Sequence, residues 1–235
     1  MQISQQMNDL YCPESEVIPT VLDLNDKRIL ELGCGNAMLT REIAQAAPDS
    51  HIDALEVDSI QHHKNCEISD LPNVTFILAG AQAIPAEDET YDIVFMFKSL
   101  HHVPMELLDQ ALQEIRRVLK PGGIAYLSEP VYAGDFNDMV RLFHDEKLVR
   151  EAAFAAIQKA VQQASFRLKD ELFFNTRIVF ENFTDFENKV LKATHTEHRL
   201  DEATYTQVQE HFTRNMSNTG ACFTAPMRVD LLQKP

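Results

Sequence analysis

The 235-residue sequence predicts an α/β fold, in which a mostly parallel sheet carries helices on both faces. Three observations lead to this prediction. Short apolar runs alternate with helix-period segments between residues 27 and 130. The runs show little polar alternation, as expected for strands that are covered on both faces. A turn with two glycines one residue apart, Gly33 and Gly35, joins the first run to the first helical pattern.

Five apolar runs are the predicted strands of this sheet. The last two enclose a segment in which Leu108, Leu112, Ile115 and Leu119 recur at spacings of four, three and four, which is one face of a helix. The stretch KPGG at 120–123 ends that helix, because proline cannot continue it. The five runs are RILELGC (28–34), HIDALEV (51–57), NVTFILAG (73–80), YDIVFMFKS (91–99) and GIAYLSE (123–129).

The pattern changes after residue 130 and predicts four parts of the chain. Residues 135–165 and 201–215 have helical periodicity, whereas 167–183 fit a strand or a helix equally well. The predicted parts are an N-terminal helical segment (1–26), a core (27–132), a helical cap that shapes a substrate pocket (133–222) and a closing strand of the core (223–235).

Composition and charge exclude several classes of protein. A hydrophobic fraction of 45% and a charged fraction of 24% are typical of a soluble globular chain. The net charge of −15 argues against nucleic acid as a partner, because phosphate backbones are bound by clustered Lys and Arg. No apolar run is long enough to span a membrane, and the N-terminus lacks a signal-peptide pattern. The four cysteines lack ligand spacing, so we expect reduced thiols in a cytoplasmic protein.

The glycine turn is a candidate ligand site. A strand, a glycine turn and a helix N-terminus together favour an anionic ligand group, although a glycine pair alone often does no more than turn the chain. The dinucleotide fingerprint G-x-G-x-x-G/A requires a small residue where this sequence has Met38. The small residue, Ala37, comes one position earlier, which favours S-adenosylmethionine (SAM) over a nicotinamide cofactor.

Several motifs in one order carry a family resemblance over residues 25–132. The stretch RILELGCGNAMLTREIA resembles motif I of the class I SAM-dependent methyltransferases, (D/E)-x-G-x-G-x-G. The stretches AGAQAIPAEDETYDIVFMFKSLHHV and EIRRVLKPGGIAYLSEP are similar to the ubiquinone/menaquinone-biosynthesis (type 11) branch. The resemblance implies a Rossmann-like seven-stranded sheet with a helical C-terminal cap insertion. It also implies SAM as cofactor and methyl transfer, without a metal, to a small-molecule acceptor.

The resemblance also implies roles for individual residues around the cofactor. Glu56 would accept the ribose hydroxyls, with Asp58 as a rival that fits a helix cap better. Glu31 would hold the methionine ammonium, or would simply be a charged residue at a sheet end. Gly80 replaces the usual adenine-binding aspartate, so adenine recognition would pass to Ala81 and Gln82. The full predicted cofactor set is Glu31, Gly33, Gly35, Asn36, Ala37, Glu56, Ala81, Gln82 and Phe97.

Candidate catalytic and substrate residues come from the strand ends and the N-terminus. His101 and His102 are the predicted catalytic pair, because imidazole titrates near neutrality and can take a proton. The alternative is that the histidines serve structure or positioning. Glu129 and Tyr11 are predicted to bind the substrate, although Glu129 fits a solvated or helix-capping carboxylate equally well.

Other readings remain open at this point. The motif (D/N)-P-P-(Y/F) of base-directed amino methylases is missing after the fourth run, which again argues against nucleic acid. His195, Glu197 and His198 fit solvated side chains better than metal ligands, so we expect no metal site. A catalytically silent SAM-binding regulatory protein and a nicotinamide dehydrogenase are the alternative functions. The oligomeric state stays open, a homodimer included.

Overall fold

The computed structural model describes residues 1–4, 10–192 and 200–235, and one mixed sheet organises them. The helices and strands follow one another along the chain as α1 (Glu14–Val21), β1 (Arg28–Leu32), α2 (Met38–Ala46), β2 (His51–Glu56), α3 (Ser59–Cys66), β3 (Val74–Leu78), β4 (Tyr91–Phe97), α4 (Leu108–Val118), β5 (Leu119–Pro130), α5 (Asp135–Val140), α6 (Lys147–Gln162), β6 (Arg167–Phe180), α7 (Phe183–Phe186), α8 (Glu202–Arg214), β7 (Met216–Ser217) and β8 (Gly220–Gln233). A π-helical turn at Glu187–Leu191 follows α7.

The sheet confirms the predicted Rossmann-like architecture. Its strand order is β3-β2-β1-β4-β5-β8-β6, and the first five strands are parallel. Strand β8 is antiparallel to both of its neighbours, and the two-residue strand β7 pairs with β8 as an eighth member. The order reverses between β1 and β4, and in open α/β sheets ligands bind outside the carboxyl ends of the strands at such a switch point.

The segment that fitted a strand or a helix is strand β6. It pairs with β8 along its whole length, from Arg167 opposite Gln233 to Phe180 opposite Ala221. Aromatic and β-branched residues near its end favour an extended backbone on a half-buried sheet. The region predicted as a helical cap, 133–222, therefore also supplies a sheet strand, because cross-strand pairing with β8 decides a segment whose own pattern was ambiguous. The predicted boundaries of the four parts stay predictions.

Helices cover both faces of the sheet. Val17 of α1 and Ile43 of α2 are buried on one face, against residues such as Ile29 and Phe95. Helices α4 and α6 cover the other face, and the predicted helical stripe of Leu108, Leu112, Ile115 and Leu119 is buried there. A third, largely aromatic cluster joins α7 and α8 to strands β6 and β8. Its fully buried aromatic members are Phe180, Phe186, Phe212 and Phe223.

Residues 10–12, shortly before α1, cover the middle of β6 at the outer edge of the sheet. The Cys12 amide donates to the Asn175 carbonyl at 3.1 Å, and the Asn175 amide donates to the Leu10 carbonyl at 2.8 Å. An edge strand exposes unpaired backbone groups, so these contacts close part of the open side of β6. All four cysteines are free thiols. Among the described residues, no helix combines the length and apolar character that crossing a membrane requires.

The aromatic cluster should contribute strongly to stability. Phe212 is almost completely buried, and its ring lies 5.2–6.1 Å from those of Phe180, Phe183, Phe186 and Phe223. We expect Phe212→Ala to lower the free energy of unfolding by about 3–5 kcal/mol, because it removes a large side chain and leaves a cavity. The exposed Val179→Ala should change it by less than about 0.5 kcal/mol. Urea denaturation measures both, and similar values for the two variants would contradict the packing described.

Candidate cofactor and acceptor site

The glycine turn after β1 uses its two glycines for different reasons. Both have positive φ, +74° at Gly33 and +53° at Gly35. A Cβ on Gly33 would lie 2.8 Å from the Cβ of Ser99, so the close approach of the loop after β4 requires glycine there. A Cβ on Gly35 would meet nothing within 4 Å. Gly33 therefore has no room for a side chain, whereas at Gly35 only the positive φ favours glycine.

Glu56, at the end of β2, is bound directly to this turn. One carboxylate oxygen accepts the Gly35 amide at 2.8 Å, and the other accepts the amides of Val57 at 2.8 Å and Asp58 at 2.9 Å. The three N–H groups hold the carboxylate in one orientation at the carboxyl edge of the sheet. Asp58 accepts the Ile60 amide at 2.8 Å, so its role as the cap of α3 is confirmed.

Glu31 is a buried carboxyl group on β1. One of its oxygens accepts the Thr40 hydroxyl at 2.7 Å. Burial, with a smaller contribution from the charge of Glu56, raises the pKa of Glu31 to about 7. No cationic side chain of the described residues forms an ion pair with it. A ligand cation placed here would stabilise the ionised form, which is the role that the sequence predicted for this residue.

The other predicted turn residues differ in exposure. Asn36 is exposed, whereas Ala37 is buried and has a φ of +60°. Asn65 of α3, which no sequence pattern singled out, donates its side-chain amide to the Gly35 carbonyl at 2.8 Å. Burial is the main reason that the pKa of the Cys34 thiol lies well above its usual range, which makes that thiol unreactive.

The predicted adenine residues lie after β3. Ala81 is buried, and the side chain of Gln82 folds back over Gly80, where a Cβ would lie 2.5 Å from the Gln82 side-chain oxygen. The glycine in place of the family's aspartate therefore leaves room for Gln82. Phe97, at the end of β4, is buried and stacks on Phe95 with ring centroids 5.0 Å apart.

His101 lies between two carboxylates behind the end of β4. Its Nδ1 is hydrogen-bonded to Glu129, whose other oxygen accepts the Leu100 amide at 2.9 Å. Its Nε2 lies 3.6 Å from Glu146. Burial alone would lower the pKa of His101, but the charges of Glu129 and Glu146 outweigh it and raise that pKa to about 9. Unless a metal or another ligand replaces its proton, His101 is charged at neutral pH.

Glu146 was missed by the sequence analysis, because it lies in a loop before α6 with no motif around it. Its oxygens accept Arg150 at 2.6 Å and His144 at 3.0 Å. Burial opposes its ionisation, but His101 and Arg150 hold the pKa of Glu146 far below its usual range. Through its contact with His101, Glu146 thus connects the segment after β5 to the end of β4.

His102 is exposed, in contrast to its neighbour. Its ring centroid lies 4.1 Å from that of His101. Partial desolvation and the nearby charge of His101 lower the pKa of His102. Together with Glu146, the two histidines place one potential ligand atom each within 4.8 Å of one another, a geometry that could hold a metal ion. His195, Glu197 and His198 lie outside the described residues.

A cavity of about 310 Å³ opens beside these histidines. It is formed by the ends of β4 and β5, the helices α5 and α6, the π-helical turn and the strands β6 and β8. Apolar side chains make up much of its wall. Its lining is Lys98, His101, His102, Pro130, Val131, Ala133, Phe136, Asn137, Val140, Phe143, His144, Glu146, Arg150, Ile178, Lys189, Val190, Ala225, Pro226 and Met227.

Two predicted substrate residues do not line this cavity. Glu129 is buried behind His101, where both of its oxygens accept hydrogen bonds, so its capping alternative describes it better than substrate binding. Tyr11 lies beside β6, with its hydroxyl 3.3 Å from that of Thr224 and the Arg177 guanidinium 5.1 Å from its ring centre. The role of both residues in substrate binding stays a prediction.

Glu14 of α1 is another buried group that the sequence did not reveal. Its carboxylate accepts the hydroxyls of Tyr126 at 2.6 Å and Ser128 at 2.9 Å, both on β5. Burial is the main reason that the pKa of Glu14 is raised. The Tyr126 ring also lies 5.7 Å from that of Phe97, so Glu14 anchors the N-terminal helix close to the predicted cofactor residues.

Comparison with known proteins agrees with this architecture. Residues 29–123 match a family model described as a methyltransferase domain. A SAM-dependent methyltransferase from Methanosarcina mazei has the same fold, with a TM-score of 0.56 at 16% identity over 93% of this chain and 96% of that one. The fold is thus the Rossmann-like α/β fold of the class I methyltransferases. The match does not separate the ubiquinone/menaquinone-type branch, which stays a prediction.

Two further similar proteins show that the shared fold does not identify the reaction or the acceptor. The chain is 33% identical over 111 residues to "Probable phthiotriol/phenolphthiotriol dimycocerosates methyltransferase 2" of Mycobacterium ulcerans, a match that covers 44% of this chain and 40% of that protein. The chain therefore aligns with well under half of that relative's length. The [4+2]-cyclase SpnF shares the fold, with a TM-score of 0.58 at 20% identity over 94% of this chain and 79% of that one.

The buried carboxyl group of Glu31 should make stability depend on pH. The unfolded group ionises near 4.5, whereas the folded group keeps its proton up to about pH 7. Between these values the folded state binds more protons, so raising the pH lowers the free energy of unfolding. Glu31→Gln keeps an acceptor for Thr40 but cannot ionise. We expect its stability relative to the wild type to rise by up to about 3 kcal/mol from pH 4.5 to pH 8. Urea denaturation of both proteins across this pH range tests the prediction. It would be contradicted if the stabilities of the wild type and Glu31→Gln changed with pH in the same way.

Proposed function

We propose that this protein is a SAM-dependent methyltransferase that acts on a small-molecule acceptor. The contact between Glu56 and the Gly35 amide carries the proposal, because it joins the two predicted cofactor elements at the switch point of the sheet. The methyltransferase-domain match over residues 29–123 supports it. The activity of the whole chain is a proposal, since the match covers less than half of the chain.

The residues around the turn suit the parts of SAM. Glu31 is a buried carboxyl group with no cation beside it in the described structure, and the methionine ammonium would supply one. Glu56 would accept the ribose hydroxyls at the one lone-pair site that the three backbone amides leave unused, the two hydroxyls sharing it or displacing an amide. The backbone of Gly33, Gly35, Asn36 and Ala37 would face the methionine part. Ala81, Gln82 and Phe97 would border the adenosine.

Methyl transfer from SAM requires the protein mainly to position the two reactants. When bound, SAM supplies a methyl group on a sulfonium, which is already a strong electrophile. The protein has to align a nucleophile with that methyl at contact distance and exclude water. No metal is needed to activate the donor, so we propose that the donor side works without one.

The cavity beside His102 is the proposed acceptor site. Its wall is largely apolar, and we infer an acceptor with an apolar part next to the group that is methylated. His102, whose side chain is exposed at this cavity, would contact the acceptor. His101, fixed by Glu129 and Glu146, would position His102. The role of general base stays a prediction for this pair.

The alternative function is a SAM-binding regulatory protein without transfer activity. The [4+2]-cyclase SpnF shares the fold and is named for a different reaction, so the fold by itself does not establish methyl transfer. The cytoplasmic location rests on the reduced thiols alone and stays a prediction.

The cofactor proposal is tested by Glu56→Gln. A glutamine side chain has only one acceptor oxygen for three backbone amides and carries no charge, so the turn and the ribose contacts should both weaken. We expect the affinity for S-adenosylhomocysteine to fall about 10- to 100-fold, the effect of losing one hydrogen bond to a charged group. Asp58→Asn is the matched control, because asparagine caps a helix as well as aspartate. Isothermal titration calorimetry gives both affinities. Equal affinities of wild type and Glu56→Gln would refute the assignment.

The transfer proposal is tested with labelled methyl groups. We expect the protein to move label from SAM into a component of a metabolite extract, with the product identified by mass spectrometry. His102→Ala should lower the rate about 100-fold, because it removes a contact that aligns the acceptor, and should leave binding of S-adenosylhomocysteine unchanged. His51→Ala, at the opposite end of β2, is the control. Binding of S-adenosylhomocysteine with no labelled product from any extract would favour the silent alternative.

A further inference from the structure

We propose that His101, His102 and Glu146 bind a divalent first-row transition-metal ion at the rim of the acceptor cavity. The proposal goes beyond the methyltransferase function and does not depend on it. It also differs from the sequence-based expectation of no metal site, because the ligand atoms come from two loops that lie far apart in the chain.

The ligand atoms are already close to coordination distances. One atom from each of the three residues lies within 4.8 Å of the other two, and Nε2 of His101 is 3.6 Å from a Glu146 oxygen. Metal–ligand bonds of about 2.0–2.2 Å put neighbouring ligand atoms about 3.0–3.6 Å apart. Coordination would require the three ligand atoms to move closer together, and the exposed side chain of His102 has room to rotate. His144, whose Nε2 is 3.0 Å from the same Glu146 oxygen, holds that oxygen from the other side.

The groups behind the ligands have the arrangement of an outer coordination shell. Nδ1 of His101 is bonded to Glu129, and Glu129 is itself held by the Leu100 amide. This leaves Nε2 of His101 directed towards Glu146. A carboxylate on the far nitrogen of a histidine is the usual way in which proteins orient that histidine towards a metal. The second oxygen of Glu146 is likewise held, by Arg150 at 2.6 Å.

The alternative occupant of the same place is a proton. A protonated His101 between Glu129 and Glu146 satisfies the two carboxylates without a metal, and a metal ion would replace that proton on Nε2. The two occupants therefore compete, and the competition can be measured.

The chemistry of the ligands selects the type of metal. Two imidazoles and one carboxylate favour zinc, cobalt, nickel or iron, whereas magnesium and calcium favour oxygen ligands. Three protein ligands leave at least one coordination position, as in catalytic zinc sites. That position would be next to the cavity that His101, His102 and Glu146 all line, so an oxygen or nitrogen of the acceptor could bind the ion directly.

The test is a metal titration of the whole chain after removal of bound metal with a chelator. We expect Co²⁺ to bind with one ion per chain and to give visible absorption bands, and Zn²⁺ to displace it. Glu146→Gln and His102→Ala should each weaken Co²⁺ binding at least about tenfold, since each removes a ligand. Glu129→Gln should weaken it about 10- to 100-fold through the orientation of His101. Thermal unfolding shows which variants are folded. His102→Ala changes an exposed side chain and should fold, so it tests the proposal even if the variants of buried residues unfold.

Two control variants exclude other metal-binding groups. His62 and Cys66 lie 3.5 Å apart on α3 and could bind metal weakly. The double variants His62→Ala/Cys66→Ser and His195→Ala/His198→Ala should bind Co²⁺ as the wild type does. The proposal fails if the wild type binds no ion, or if binding is lost in a control variant and kept in His102→Ala. Titration of the same samples with S-adenosylhomocysteine tests the proposed function separately. Binding of the metal and binding of S-adenosylhomocysteine are independent results.

Discussion

The hydrogen bonds between Glu56 and three backbone amides are the constraint on which the rest of the site depends. A carboxylate at the end of β2 reaches across to Gly35 in the turn after β1, so the ends of two adjacent parallel strands are fixed relative to each other. Gly33 closes the turn on its other side against Ser99, which follows β4. Three strand ends thus form one rigid edge. Gly33 and Gly35 adopt the positive φ values of the turn without a steric penalty.

A second connection joins this edge to the residues after β5. Glu146, held by Arg150, approaches His101, and His101 is bound to Glu129 at the end of β5. These charges are largely withdrawn from water, so each needs a partner. The wall of the cavity beside His102 is therefore positioned by a charged network as well as by apolar packing. The same network creates the two different environments of His101 and His102.

The sequence predicted what depends on local pattern. The glycine turn, Glu56 at the end of β2, the Asp58 cap and the buried face of α4 all follow from spacing within a short segment. Strand β6 was ambiguous because its pairing with β8 involves residues about 41–66 positions away, from Phe180–Ala221 to Arg167–Gln233. Glu146, Asn65 and Glu14 carry no local signal, since each acts on a residue 30 or more positions away.

The surroundings of Glu129 and Tyr11, the two predicted substrate residues, could not be predicted for a related physical reason. A strand-end carboxylate such as Glu129 looks accessible in a sequence, yet here the turn at Leu100–His102 folds over it and uses both oxygens. Tyr11 precedes α1 closely, but the backbone contacts of its neighbours with Asn175 draw it to the far edge of the sheet. Sequence order along a strand or helix predicts which end a residue occupies. It does not predict which residues from other parts of the chain contact that residue in the fold.

The pairing of Leu10 and Cys12 with Asn175 also bears on how molecules of this chain meet one another. Strand β6 is 14 residues long and ends the sheet, so its outer side is a ready template for a strand from another molecule. The N-terminal stretch occupies the middle of that template. If the contacts of Leu10 and Cys12 with Asn175 were lost, the outer edge of β6 would expose a continuous row of backbone amides and carbonyls. The sheets of two molecules could then pair edge to edge. The attachment of residues 10–12 to β6 is thus a safeguard against self-association.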